Sequence, residues 1–309
     1  MTTLQSMLPK VVGYLSAVNW QENALLYGRR FDVFPLAQGE YNINYRLQDQ
    51  HDPDFQLVLR VSIGTQIDRD DQIRYEYNAL RLLAPSGVTP RPYYVDGSRN
   101  HLAYGLLLME YLPGGPLDYE KDCFGAARLL ARIHQLPVDG SKNHLIRESA
   151  PLSLIFDECA GLLQHYFESD LADPEIRTYL MEVKHWAASA RGSERFYQTD
   201  PWHCVINTEV NSGNFIVNRD RNTLHLVDWE MPRWGDPSQD LCHFCSPLTT
   251  LWKTRFRMTL GQKKTFIDAY RDHIEDRHLR DTLWERVRLR DPFVLLRGIS
   301  WSAMGWVAY

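Results

Sequence analysis

"INTEVNSGNFIVN", residues 206–218, sets three amides and a carboxylate (Asn207, Glu209, Asn211 and Asn214) within eight residues, then runs straight into an apolar strand. Polar side chains this dense beside a strand form either a solvated loop or a site. The turn "RDRN" follows, and "LHLVDW" returns as the second arm of a short hairpin. That hairpin begins at Asn214 and ends at Asp228, so these two residues are expected to be near neighbours at its mouth. One amide oxygen and one carboxylate there suit a hard cation that keeps several waters, such as Mg²⁺.

Working outward, the two halves of the chain differ in character. From about residue 31 to 110 the pattern is mostly strands. "FDVFPL" leads through "QGE" into "YNINYRL", where Tyr41, Ile43, Tyr45 and Leu47 alternate onto one face, and "FQLVLRV" alternates likewise. "IDRDDQIRYEYNALRLLA" reads as a helix with Ile73, Leu80 and Leu83 on its apolar face. "RPYYVDGSRNHLAYGLLLMEYL" reads as a hairpin turning at Asp96-Gly97. "PGGP" at 113–116 is the clearest break. Helices are expected beyond it over roughly 118–136, 151–167, 174–190, 237–248, 262–274, 277–290 and 293 to the end. The division is therefore a strand-rich lobe over 1–112 and a helical lobe over 113–309. The chain stops at "WSAMGWVAY" with no helix-stop signal, as a C-terminally truncated chain would.

Bulk properties narrow the function. The chain has 309 residues, 44% hydrophobic and 24% charged, which is ordinary for a globular protein. A net charge of −5 argues against nucleic acid or an anionic membrane as the main partner. No signal peptide is apparent, and no apolar run approaches the roughly 20 residues of a membrane span. Five cysteines in a chain this long do not make a disulfide scaffold, so a cytoplasmic location is expected. Cys242 and Cys245 form an isolated C-x-x-C, read as two small apolar residues on a helix rather than a redox or zinc motif. His134, His203 and His243 lack metal-ligand spacing and read as structural.

Two further features of the first half carry chemistry. Gly39 lies between two strands, either as a plain hairpin turn or to let backbone N–H groups approach a phosphate. Arg60 interrupts an apolar strand, a costly place for a charge without a partner. Glu76 lies on the apolar face of its helix. Each is a candidate partner for the other, and the pair could face a phosphate.

In order and spacing these features resemble the aminoglycoside phosphotransferase and choline kinase family, over roughly residues 31–305. The resemblance implies an α+β, protein-kinase-like fold with a strand-rich N-lobe and a mainly helical C-lobe. "LAQGEYN", with Gly39 and Asn42, resembles the nucleotide loop. Arg60 stands where the family holds the α and β phosphates, with Glu76 as its helical partner. "LLLMEYLPGGPL" resembles the interlobe hinge, whose backbone near Glu110 and Tyr111 would meet adenine. "LLARIHQL" resembles a core helix. "NTEVNSGN" aligns with the catalytic loop "HGDLHPGN", "DWE" with the metal-binding aspartate motif, and "GDPSQDL" with "GDPxxDL", whose Asp240 is expected to be structural.

The activity so implied is transfer of the γ-phosphoryl of ATP, with Mg²⁺, to a hydroxyl of a small-molecule acceptor. Asn214 and Asp228 would hold the metal, and Glu209 would take the acceptor's proton. Glu230 would either support a second metal, touch substrate, or be an ordinary surface carboxylate. The loop departs from the pattern at Asn207 and Asn211, where the family has histidines, and at Glu209, where it has aspartate. A displacement of about 1 Å at a catalytic group can cost on the order of 100-fold in rate. The alternative is therefore a catalytically impaired nucleotide-binding or regulatory module. The many tryptophans of the second half, Trp186, Trp252 and Trp301 among them, read chiefly as packing residues. The acceptor and the oligomeric state are not legible.

Overall fold

Period-two alternation decides which face of each strand is buried, and in the first half it builds one sheet. In the computed structural model, which describes residues 3–308, the chain forms two compact units. One comprises residues up to Gly115 with Ile216–Pro232, and the other Pro116–Phe215 with the residues from Arg233 on.

The first unit opens with helices α1 (Leu4–Ala17) and α2 (Trp20–Asn23), followed by strands β1 (Phe31–Gln38), β2 (Asn42–Asp49) and β3 (Gln56–Ser62). Helix α3 (Gln72–Leu83) then leads to β4 (Pro92–Asp96) and β5 (Gly105–Glu110). These make a five-stranded antiparallel sheet in the order β1-β2-β3-β5-β4. Ile43, Tyr45 and Leu47 of β2 and Leu57, Leu59 and Val61 of β3 enter one core with Met7, Val11 and Tyr14 of α1. The pleat that points Leu59 and Val61 into that core turns Arg60 to the opposite face. Ile73, Leu80 and Leu83 of α3 are buried, as their spacing predicts, and α3 packs on β4 and β5.

Three features of this unit differ from the sequence reading. Helix α1 was not foreseen. Its buried residues recur at helical spacing, and Thr3 caps it by accepting from Ser6 N. Strands β4 and β5 do pair antiparallel, but their connection runs from Gly97 to Tyr104 rather than turning tightly at Asp96-Gly97. Helix α3 starts only at Gln72.

The second unit contains α4 (Tyr119–His134), β6 (Ile146–Arg147), α5 (Pro151–Glu168), α6 (Pro174–Ala190), α7 (Arg195–Thr199) and β7 (Cys204–Ile206). The paired strands β8 (Phe215–Asn218) and β9 (Thr223–Leu226) follow and carry the chain into the first unit. The second unit resumes with β10 (Arg233–Gly235), α8 (Ser238–Cys245), α9 (Pro247–Lys253), α10 (Leu260–Asp272) and α11 (Arg277–Ala308). Strands β6, β10 and β7 form a small three-stranded sheet.

The helix expected over 237–248 is two. Ser246, immediately before Pro247, is extended (φ −63°, ψ 130°), as the proline ring demands of its predecessor. The two helices expected over 277–290 and from 293 are one, α11, with Pro292 inside it. A proline costs one backbone hydrogen bond, but α11 packs along its length on α5 and α8, and that packing carries it through. Among the described residues no helix is long and apolar enough to cross a membrane.

The "PGGP" stretch has a packing reason within the first unit. Gly115 N donates to Val217 O at 3.0 Å, and Val217 N donates back to Gly115 O at 2.8 Å. A Cβ on Gly114 would lie 2.5 Å from Val217 O, whereas one on Gly115 would meet nothing within 4 Å. Gly114→Ala should therefore destabilise the protein by about 1–3 kcal/mol, while Gly115→Ala stays near wild type. Urea unfolding of the two variants tests this, and equal effects would remove the steric argument.

Candidate active site

The loop quoted at the outset leaves β7 at Ile206 and turns at once. Asn207 N and Thr208 N both donate to the carboxylate of Asp240, each at 2.8 Å. Asp240 is fully buried on α8, and His134 Nε2 lies 3.2 Å from its Oδ2. His134 Nδ1 lies 3.0 Å from the hydroxyl of Tyr270, so this histidine is structural, as its spacing suggested. Asp240 thus acts as a buried acceptor that fixes the start of the loop, which the "GDPSQDL" motif had suggested.

Those two bonds hold a strained residue. Thr208 has φ +76°, an outlier for a β-branched side chain. It stands where the family motif has glycine, and that mismatch was the available signal for a position the sequence reading passed over.

The amides then fold the loop around Glu209. Asn207 Oδ1 accepts from Glu209 N at 3.1 Å. The carbonyl of Glu209 accepts from Asn211 N at 2.9 Å, Asn211 Nδ2 at 3.2 Å and Asn214 Nδ2 at 2.8 Å. Asn211 Oδ1 accepts from Gly213 N at 2.9 Å and opens a 3-10 turn over Ser212–Asn214. The asparagines at the motif's two histidine positions therefore brace the loop through their own side chains. The carboxylate of Glu209 itself stays 30% exposed.

The first unit holds the other set of candidates. Arg60 Nη1 lies 2.7 Å from Glu76 Oε1 and 2.9 Å from Asp228 Oδ1, and Arg60 Nε donates to Asn44 Oδ1 at 3.1 Å. The pairing expected between Arg60 and Glu76 is present, and Asp228 joins it. Asp228 has φ +64°, a left-handed conformation that aspartate tolerates better than most residues. Glu230 is buried and accepts from Asn42 Nδ2 and, at 3.4 Å, from Gln72 Nε2. It is therefore part of the cluster, not a surface carboxylate.

Three carboxylates here surround one guanidinium, and burial is the first cause of the raised proton affinities of Glu76 and Glu230. Burial raises the Glu76 carboxyl, and Arg60 only partly opposes it. Burial, then repulsion from Asp228, pushes Glu230 up to about 8. Burial alone would lower Arg60, but Glu76, Asp228 and Glu230 more than offset it, so its proton is held tightly.

The remaining candidates fall in less direct places. Gly39 N donates to Asn42 O at 2.9 Å and closes the β1–β2 turn, and a Cβ there would meet only that same oxygen at 3.8 Å. Neither the turn nor the local space requires glycine. Glu110 N donates to Arg91 O at 2.8 Å and Tyr111 N to Gln56 O at 3.3 Å, so both amides are committed to the sheet. Asn214 belongs to the second unit and Asp228 to the first. Cys242 and Cys245 are buried free thiols whose pKa values burial raises, in keeping with an apolar helix face rather than redox chemistry. Burial pushes His243 down to about 4, with Arg297 acting in the same direction, which leaves it neutral.

A row of arginines on α11 was also missed. Arg286 reaches Asp236 at 2.6 Å and Asp200 at 2.7 Å, and Arg290 reaches Glu148 at 2.5 Å, with both guanidinium groups fully buried. Together with Arg297 they stand at i, i+4 and i+11, on one helix face. Asp236 and Asp240 both belong to "GDPSQDL", and α11 anchors that motif through Arg286.

The strain at Thr208 gives a stability test. Replacement by glycine removes a penalty of about 1–3 kcal/mol and adds about 0.5–1 kcal/mol of chain entropy. Thr208→Gly should raise the unfolding free energy by about 1 kcal/mol in chemical denaturation. A loss of stability would show that the threonine's contacts outweigh its backbone.

Known proteins resemble this chain in sequence and in fold. The sequence pattern of the phosphotransferase enzyme family matches residues 32–288. A thiamine kinase of Escherichia coli O1:K1 is 25% identical over 239 residues, covering 75% of this chain and 69% of that protein. An ethanolamine kinase of Plasmodium vivax superposes with a TM-score of 0.64 at 14% identity, covering 96% of this chain and 81% of that one. A spectinomycin phosphotransferase solved with ADP and spectinomycin gives 0.52 at 13% identity, over 93% and 92% of the two chains. The fold is the two-lobed, protein-kinase-like α+β fold that the resemblance implied. With over three quarters of its length inside that pattern, the chain belongs to the phosphotransferase enzyme family.

Proposed function

We propose that this protein transfers the γ-phosphoryl group of ATP to a hydroxyl of a small molecule, with Mg²⁺ as cofactor. The chain is a small-molecule phosphotransferase by its family. The observation that carries the rest is Arg60, buried between Glu76 and Asp228 with Glu230 beside them. A guanidinium so anchored through Nε and Nη1 holds a fixed orientation, from which Nη2 would meet a phosphate oxygen. The excess of carboxylate over guanidinium suits a divalent cation.

The donors fit magnesium. They are hard oxygens, and the side chain of Asp228 is 29% exposed while Glu76 is buried. Among the described residues no three His, Cys, Asp or Glu side chains converge as a closed metal cage. Mg²⁺ needs no cage, because it keeps waters and takes phosphate oxygens. Asp228 and Asn214 would hold it. With Asn214 Nδ2 committed to the loop, Oδ1 is the atom left for a cation. Bound there, the ion supplies charge neutralisation at the β and γ phosphates.

The chain's own residues then do the following. Gly39 and Asn42 shape the loop over the phosphates. Adenine meets the backbone near Glu110 and Tyr111, at carbonyl groups and the next amide, since their own N–H groups are taken. Glu209 accepts the proton of the acceptor hydroxyl as the acceptor oxygen bonds to the γ-phosphorus. The bond to the β–γ bridging oxygen breaks, and ADP leaves. With all five cysteines free, we place this chemistry in the cytoplasm.

Calorimetry with ATP, with and without Mg²⁺, tests the site. Wild type should bind in a Mg²⁺-dependent manner, and Asp228→Ala should weaken binding by about 10-fold or more. Binding indifferent to both metal and mutation would place the nucleotide elsewhere. Turnover is then measured by mass gain on thiamine, ethanolamine and spectinomycin as probe acceptors. Glu209→Gln should cut turnover by about 10²–10⁴-fold while sparing ATP binding. Mg²⁺-dependent binding without turnover on any acceptor would favour the regulatory module, the reading that Glu209 in place of aspartate supports.

A further inference from the structure

The loop over Asn207–Asn214 contains no cationic residue. The positive charge beside it comes from α11. Arg297 Nη2 lies 4.0 Å from Glu209 Oε1, and both residues belong to the second unit. Arg297 is itself fixed. Its Nε donates to both oxygens of Glu158 on α5, at 2.9 and 3.1 Å. The indole of Trp301, one turn along α11, donates to the same Glu158 at 3.3 Å. Only 14% of the Arg297 side chain is exposed.

We propose that Arg297 is a positioning residue for Glu209, with Glu158 and Trp301 orienting the guanidinium in turn. This rests on Glu209 being the proton acceptor of the proposed transfer. Glutamate has one more rotatable bond than aspartate, so its carboxylate does not stay put unless something holds it. Asp240 and the asparagines fix the backbone of the loop around Glu209, and Arg297 faces its carboxylate. The spacing of 4.0 Å is that of an ion pair without a tight direct hydrogen bond. It steers the carboxylate without a tight bond from Arg297 that an acceptor hydroxyl would have to displace.

The arrangement also explains the long reach. Fixing Arg297 through Nε directs the far end of the fork, Nη2, toward Glu209. Glu158 takes up the charge that would otherwise bind Glu209 too firmly. When Glu209 receives the acceptor's proton it becomes neutral, and Arg297 keeps Glu158 as its partner. The guanidinium is therefore never left buried without a counter-charge during turnover.

The test is a double-mutant cycle in turnover with ATP and Mg²⁺. Arg297→Gln should lower kcat by about 10–100-fold with KM for ATP unchanged, because a misplaced base slows only the chemical step. Arg297→Lys, which keeps the charge, should recover part of that loss. In a Glu209→Gln background Arg297→Gln should cost nothing further. Wild-type kcat in Arg297→Gln would overturn the proposal alone. So would full additivity with Glu209→Gln, or a loss of kcat matched by partial unfolding of Arg297→Gln and absent under stabilising conditions. No ATP-dependent turnover by wild type would overturn the underlying reading, and this proposal with it.

Discussion

A guanidinium cannot shed its proton inside a protein, so each buried arginine compels carboxylates to gather around it. This constraint organises the polar structure of both units. Arg60 draws Glu76 and Asp228 together in the first. In the second, Arg286 draws Asp236 and Asp200, Arg290 draws Glu148, and Arg297 draws Glu158 and Glu209. Removing one member of such a group strands a charge, which costs several kcal/mol, whereas surface pairs contribute little. The exposed pairs on the helices, such as Arg277 with Asp281, belong to the second class.

The loop departs from the motif in sequence, yet its own side chains and Asp240 brace it. Asparagines replace histidines, but Asn207 and Asn211 supply acceptors to Glu209 N and Gly213 N. A threonine replaces glycine, but two hydrogen bonds to Asp240 hold it at positive φ. Local strain of this kind persists only where the surroundings over-determine the conformation. Here they do: Asp240 is buried, paired with His134, and carried on a helix packed against α11.

Much of this was legible in the sequence because it was local. Strand alternation marked Ile43, Tyr45 and Leu47 as core, and it made Arg60 stand out as a charge requiring a partner. Glu76 was identifiable as that partner because it lies on the same face as Ile73 and Leu80. What escaped was set by distant contacts. Arg286, Arg290 and Arg297 look like surface charges on a charged helix, and only their partners far away in the chain show otherwise. The role of Glu230 was left open because one residue after Trp229 it could face either way, and Asn42 and Gln72 decide it. Helix α1 escaped because the sheet that buries Met7, Val11 and Tyr14 is made by strands later in the chain. The proline in α11 misled because its cost is local, while the packing that absorbs it is not.

The two units carry opposite answers to the same problem of charge. Around Glu209 the carboxylates are matched closely by Arg297, and the cluster of Glu158, Arg297 and Glu209 carries one net negative charge when all are ionised. Around Asp228 the imbalance is larger, with three carboxylates beside Arg60, and repulsion from Asp228 adds to the burial that raises Glu230 and Glu76. In its proposed role of holding a cation and a polyphosphate, this cluster would gain from such imbalance. Protein charges that repel one another without the ligand are relieved when it binds, so part of the binding free energy comes from strain removed rather than contacts added. In the proposed role of Glu209 as proton acceptor, repulsion would bring nothing, and there the chain supplies Arg297 as counter-ion.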